Sequence, residues 1–205
     1  MTFQANSLLH HSRLAGQRAR VLCLCFVVLF PLTGCSQQKS ITWREEVKLS
    51  NGQIIVAERS ADFRNVYAGG SGNGWLFQHA RIKATLPPLN KVVMWDGSLE
   101  PLALDTAKDG AIYLVAISAN LQGEKENSIP EGKRHAAFKY NEDGQWIRIP
   151  VESVPREIRP NMLIDEVTLF IKQDYSTSKV LELALKEKLN DDPGLSESFR
   201  SWSTK

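Results

Sequence analysis

The chain has 205 residues, 42% of them hydrophobic and 23% charged, with a formal net charge of +2 from 25 basic and 23 acidic side chains. Three of the basic residues, Arg13, Arg18 and Arg20, lie in the first 20 positions, which carry no acid, so the rest is balanced at 22 against 23. A nucleic-acid binder needs a clustered basic excess, and that class is excluded.

All three cysteines (Cys23, Cys25 and Cys35) come before residue 36, so no disulfide framework is available beyond it. The fold must stand on its core, and a single domain of this length can bury roughly 70% of its unfolded surface.

Val21 to Leu32 (VLCLCFVVLFPL) is an uncharged apolar run. As a helix it would be ~18 Å long, too short for a hydrocarbon layer of roughly 30 Å. That length suits the apolar region of a cleavable signal. Pro31 ends such a helix and leaves Leu32, Thr33 and Gly34 extended for a peptidase.

Leu32-Thr33-Gly34-Cys35 then resembles the lipobox of bacterial lipoproteins. The resemblance implies that the Cys35 thiolate takes a diacylglyceryl group as a thioether, with palmitate among the acyl chains. It further implies that residues 1–34 are a cleaved signal peptide and that the freed amine is open to acylation. One chain gives only marginal attachment; two or more hold stably. The alternative is an ordinary secretory signal or single-span anchor with Cys35 incidental. Ser36 stands where lipoproteins retained at the inner membrane carry Asp, so the resemblance implies the outer membrane, facing the periplasm. The expected division is 1–34 as signal peptide, 35–40 as lipidated cysteine and short linker, and 41–205 as one β-rich periplasmic domain.

After the polar stretch Ser36–Ser40, Trp43, Val47 and Leu49 alternate with Arg44, Glu46 and Lys48, a half-buried strand pattern. Asn51-Gly52 before Ile54–Glu58 marks a hairpin. Gly69-Gly70-Ser71-Gly72-Asn73-Gly74 lacks the Gly-Lys-Ser/Thr of a phosphate loop, and around Ser71 the nucleophile-elbow pattern fails at Asn73, so a flexible connection is expected.

Residues 75–86 read as a strand with Leu76, Ala80, Ile82, Ala84 and Leu86 on one face. Trp75, Phe77, His79, Arg81 and Lys83 fall on the other. Pro87-Pro88 stops the run. Lys91–Trp95, Leu99–Asp105 and Ala111–Ser118 continue as short strands, with Ile112–Ile117 apolar on both faces and expected in a sheet centre.

Ala119–Arg134 is a long polar connection of the kind that is functional or mobile. His135–Tyr140 and Gln145–Ile149 form a hairpin through Asn141–Gly144, a plain turn without the ligand spacing of a calcium loop. Pro150, Pro155 and Pro160 predict an extended edge connection. Val167, Leu169 and Ile171 alternate as a strand. From Ser178 the period becomes helical: Val180, Leu181, Ala184, Leu185 and Leu189 form a stripe, with Glu182 and Lys186 outside. Asp192-Pro193 can start a second short helix bearing Leu195, Phe199 and Trp202 on one face.

No enzyme class is supported. His79 and His135 are the histidines beyond the leader, no structural zinc pattern appears, and no catalytic, metal or cofactor residues are assigned. Glu45 and Glu46 are strand neighbours that point to opposite faces. Trp43, Trp75, Trp95 and Trp146 sit in strand patterns; core packing is the default and a carbohydrate platform the alternative. His79, Arg81 and Lys83 share one strand face and offer a contact with anionic headgroups or an acidic partner, or else a solvated face paired with acidic neighbours. WREEVKLSNGQIIV, DGAIYLVA and DGQWIRIP resemble stretches of uncharacterised bacterial lipoproteins over residues 43–150, a resemblance that implies a β-rich ectodomain and no activity.

The expected fold is mainly β: an antiparallel β-sandwich or partly open barrel with one or two C-terminal helices. The expected function is that of an envelope lipoprotein, held to the membrane through lipid on Cys35. Its binding or structural role is non-enzymatic and lies close to the bilayer, with an envelope protein or anionic surface as partner. The alternative is an envelope hydrolase or other enzyme without a recognisable motif.

Overall fold

Two antiparallel meanders laid face to face make the body of the domain. The structure, a computed structural model, describes residues 37–68, 72–87, 90–164 and 180–191. The first meander runs through β1 (Gln38–Lys48), β2 (Ile54–Ala68), β3 (Gly72–Leu86) and β4 (Lys91–Gly97). The second runs through β5 (Glu100–Thr106), β6 (Ile112–Ile117), β7 (His135–Tyr140) and β8 (Trp146–Ile149). Strand β9 (Val180–Leu181) adds to the first sheet parallel to β1, giving the orders β4-β3-β2-β1-β9 and β5-β6-β7-β8. Helix α1 (Leu121–Glu126) lies between β6 and β7, and α2 (Leu183–Asn190) follows β9. The fold is mainly β, as expected, with two sheets and no closed barrel.

Alternation explains the strands. In β1 the inward side carries Trp43 and Val47, and in β2 it carries Ala57, Ala61 and Phe63. They meet Ile82 of β3 and Trp95 of β4, then Leu104, Leu114 and Ala136 of the second sheet, in one core. Trp95 and Phe138 bring rings of the two sheets to 6.4 Å. The Asn51-Gly52 turn forms as read: Gly52 takes φ +85°, and the Asn51 side chain accepts from the Gln53 amide at 2.9 Å. β6 is an inner strand with all six residues buried.

Five expectations are corrected. The linker ends sooner: β1 starts at Gln38, and the Gln37 carbonyl already accepts from the Asn65 amide. Gln38, Lys39 and Ser40 bury nothing, but the backbone ladder to Arg64, Phe63 and Asp62 pairs them regardless of side chain.

Phe77 points inward, not outward. Asp62 pairs with His79 but Phe63 with Phe77, so Gln78 is an extra residue and the inside–outside phase changes there. Phe77 then meets Phe63 edge to face at 6.0 Å.

The 119–134 connection is held down. Asn120 caps α1 through the Gly123 amide and donates to the Phe77 carbonyl, and Asn127 donates to Ser98. A side chain at Gly123 would meet the Ser98 carbonyl at 2.9 Å, which is why glycine sits in this short helix.

The proline-spaced segment is not an extended edge connection: it starts with a 3-10 turn at Val151–Ser153 and folds back over the second sheet. Val154 and Ile158 pack on Ala103, Tyr113, Val115 and Ala137, covering the outer face of the second sheet. β5 and β6 are therefore buried on both sides.

Finally, the expected helical stripe is kept only in part: Val180 and Leu181 form β9, Leu181 and Leu189 pack on the core, but Ala184 and Leu185 are exposed and Lys186 is buried. The lipobox with Cys35, the strand expected around Val167–Ile171 and the second helix beyond Asp192 lie outside the described residues.

Candidate functional site

Ionic chemistry gathers in two places: on the outer face of the first sheet, and beneath β1 where the last third of the chain returns. On the outer face the register lines up Ser60, Arg81 and Asp96, and beside them Glu58, Lys83 and Met94. Arg81 Nη1 donates to Asp62 Oδ2 at 2.9 Å and its Nε to Asp96 Oδ2 at 3.1 Å. His79 Nε2 lies 2.9 Å from Asp96 Oδ1, and Lys83 Nζ lies 3.8 Å from Glu58. Burial alone would raise the Asp62 carboxyl, but hydrogen bonds from Ser40 and Arg81 and the Arg81 charge hold it below 3.8. The hydrogen bond to Asp62 lifts Arg81 further above its ordinary range. Each of the three basic residues singled out in the sequence thus faces a carboxylate. Toward the Asn51 turn the same face becomes apolar, with Ile54, Val56, Val92 and Met94 all exposed.

The second place was missed by sequence reasoning. Glu45 is fully buried on the inward side of β1 between Trp43 and Val47. Its Oε1 takes Arg59 Nη1 at 2.8 Å, and its Oε2 takes the Leu163 amide at 2.8 Å. Arg59 stands directly opposite Trp43 in the ladder, with its guanidinium carbon 4.8 Å from the indole centroid. It also donates to the Leu163 carbonyl at 3.0 Å. Lys186 of α2 comes within 3.9 Å of Glu45 and donates to the carbonyls of Glu46 and Asn161. Burial pushes the Lys186 ammonium below 10.5, Glu45 opposes that, and Arg59 adds to it.

Glu46 points the other way and accepts from the Leu183 amide at the start of α2, so the two adjacent carboxylates serve different elements, as their strand parity required. The sequence signal was parity: Glu45 shares its phase with Trp43 and Val47, and Arg59 with Ala57 and Ala61.

Asn161 completes the join. Its amide nitrogen donates to the carbonyls of Lys48 and Leu104, and its oxygen accepts from the Leu104 amide, so one side chain ties β1 to β5. Nearby, burial raises the Asp105 carboxyl above 3.8 against donors from Ser50 and Thr106. The ionic groups pair with one another and with backbone, which makes the cluster a clasp. Arg59, Glu45 and Lys186 are all buried.

Among the described residues no group of three or more His, Cys, Asp or Glu could hold a metal ion, and no helix is long and apolar enough to cross a membrane. Comparison with family models, with curated proteins and with solved structures finds no match.

Proposed function

We propose that the chain is a bacterial envelope lipoprotein, anchored by lipid on Cys35, with a non-enzymatic binding or structural role close to the bilayer of the outer membrane. The observation that carries the reading is Leu32-Thr33-Gly34-Cys35 behind a basic start and an apolar run too short to span. The beginning of the folded domain fits it. Only Ser36 and Gln37 separate Cys35 from β1, so the strand ladder starts where a lipid-bearing N-terminus would end.

The non-enzymatic part of the proposal is supported by the clasp, whose ionic groups hold β1, β2 and α2 together. The charge-balanced outer face and its apolar half are the surfaces such a protein would offer to an envelope partner.

The test is metabolic labelling with a fatty acid. The wild-type protein should take up label and shift to a smaller mass that begins at acylated Cys35. Cys35→Ala should take up none and leave the membrane fraction or keep its leader. Label retained by Cys35→Ala would overturn the proposal.

A further inference from the structure

The outer face of the first sheet sorts its charges by strand. Between Ile54 and Asp62 the outward residues of β2 include two acids, Glu58 and Asp62, and no base. Between His79 and Thr85 the outward residues of β3 include His79, Arg81 and Lys83, and no acid. The rungs set them directly opposite: Glu58 pairs with Lys83, and Asp62 with His79. An acidic stripe therefore lies beside a basic one.

At one end both stripes run into apolar surface. Val92 pairs with Thr85, Met94 stands opposite Lys83, and Ile54 and Val56 lead into Ala57 opposite Ala84. Four of the seven large hydrophobics exposed among the described residues gather in this corner, which makes it a patch that a partner covers and not a scatter of single side chains.

The stripes select the partner. A surface of one sign would be drawn to one strand and repelled by its neighbour. A second copy of the chain meets no such conflict. A two-fold axis laid along the strands, above the boundary of β2 and β3, sets β2 of each copy over β3 of the other and keeps every rung at its own height. Glu58 then faces Lys83 of the second copy, Asp62 faces its His79, and both contacts occur twice. Because the rungs keep their height, the apolar ends of the two copies coincide as well, and Ile54, Val56 and Val92 leave water together. Four strands ~4.8 Å apart and the run from Ile54 to Asp62 at ~3.4 Å per residue give a flat footprint of ~600 Å². Side-chain relief brings the accessible area toward the ~800 Å² per partner of a standard interface.

We infer that this face is a homodimer interface, in which two copies of the chain pack their first sheets together about a two-fold axis between β2 and β3. Such a dimer goes beyond the anchor: it depends on this face alone and holds with or without lipid on Cys35.

The test uses full-length chains with two different C-terminal tags, coproduced, extracted in mild detergent and captured by one tag. Wild-type capture should recover the second tag, and sedimentation in density-matched detergent should give two chains per particle. Glu58→Lys alone sets two bases against each other across the interface, and Lys83→Glu alone sets two acids; each should lower recovery roughly ten-fold. Both side chains are 58% exposed, so each variant keeps its core. Coproducing the Glu58→Lys chain with the Lys83→Glu chain restores opposite charges at both contacts, although each chain keeps a like-charged rung of its own. Recovery between these unlike chains should return to the wild-type level. Val92→Glu should also lower recovery, whereas Ile147→Glu, on β8 of the other sheet, should leave it unchanged. A wild-type chain that recovers no second tag overturns the dimer. Association that survives either single swap, or that coproduction does not restore, overturns it too, as does an unlike protein captured in place of the second tag. Acyl mass on Cys35 is read separately, so the anchor and the dimer stand or fall independently.

Discussion

The outer ladder and the buried clasp use the same side-chain chemistry in opposite solvents. Arg81 bridges Asp62 and Asp96 on a surface where its side chain is 48% exposed, whereas Arg59 meets Glu45 where both side chains are fully buried. On the surface, water and salt screen the pair, and such contacts contribute ~0.2–1 kcal/mol. In the interior the pair has to offset its own desolvation, and removing one partner strands the other. Similar distances, 2.9 and 2.8 Å, therefore describe a dispensable contact and an indispensable one.

The largest effect is expected at Arg59. Arg59→Met leaves the Glu45 carboxylate buried with the Leu163 amide and with Lys186 at 3.9 Å, and should cost about 3–5 kcal/mol in chemical denaturation of the chain from Ser36 onward. The double variant Glu45→Leu/Arg59→Met should recover part of that loss. If the single variant loses less than the double, the clasp is not an ionic unit.

Lys186→Met sharpens the contrast within the clasp. It removes donors to two carbonyls but also a buried charge, so the net loss at neutral pH should be under ~2 kcal/mol. Its signature is the pH dependence. The folded Lys186 titrates below 10.5, so between its folded and unfolded values the unfolded chain binds more protons, and stability attributable to this group rises with pH. The variant should lack that alkaline rise, and identical pH profiles would show that Lys186 is solvated.

The smallest effect belongs to the ladder. Arg81→Ala should cost less than ~1 kcal/mol at neutral pH. Asp62 has a depressed folded value, so its contribution is present above 3.8 and is lost as pH falls through that folded value. The gap between wild type and Arg81→Ala should close in acid, and a gap that persists there would point to lost packing instead of lost charge.

Much of the fold was legible because β-strands announce themselves by parity and turns by Asn-Gly and Asp-Gly. β6 could be placed in a sheet centre from IYLVAI alone. What failed shares one physical cause: a local pattern overruled by a distant partner. Gln78 inserts one extra residue into β3, and no property of Gln78 marks that change of phase. Lys186 reads as a solvent-facing residue because its carbonyl partners, Glu46 and Asn161, are supplied by other elements. Val154 and Ile158, spaced between prolines, have no period; they found burial because the second sheet needed a cover. Cys35 was read from a motif whose chemistry is carried out by other proteins, so that assignment belongs to resemblance and stands apart from the fold.

The clasp also orders the life of the chain in time. Both meanders pair neighbours in sequence, and each can form as soon as its own strands exist. Glu45 meets the Leu163 amide across 118 residues, and Lys186 meets the Glu46 carbonyl across 140. A chain made from its N-terminus therefore holds a carboxylate and a guanidinium, destined for burial, that wait on its final stretch. Until residues 161–186 have arrived, the first sheet is an unfinished half, with an open edge along β1 where a holding factor or a wrong partner has its opportunity.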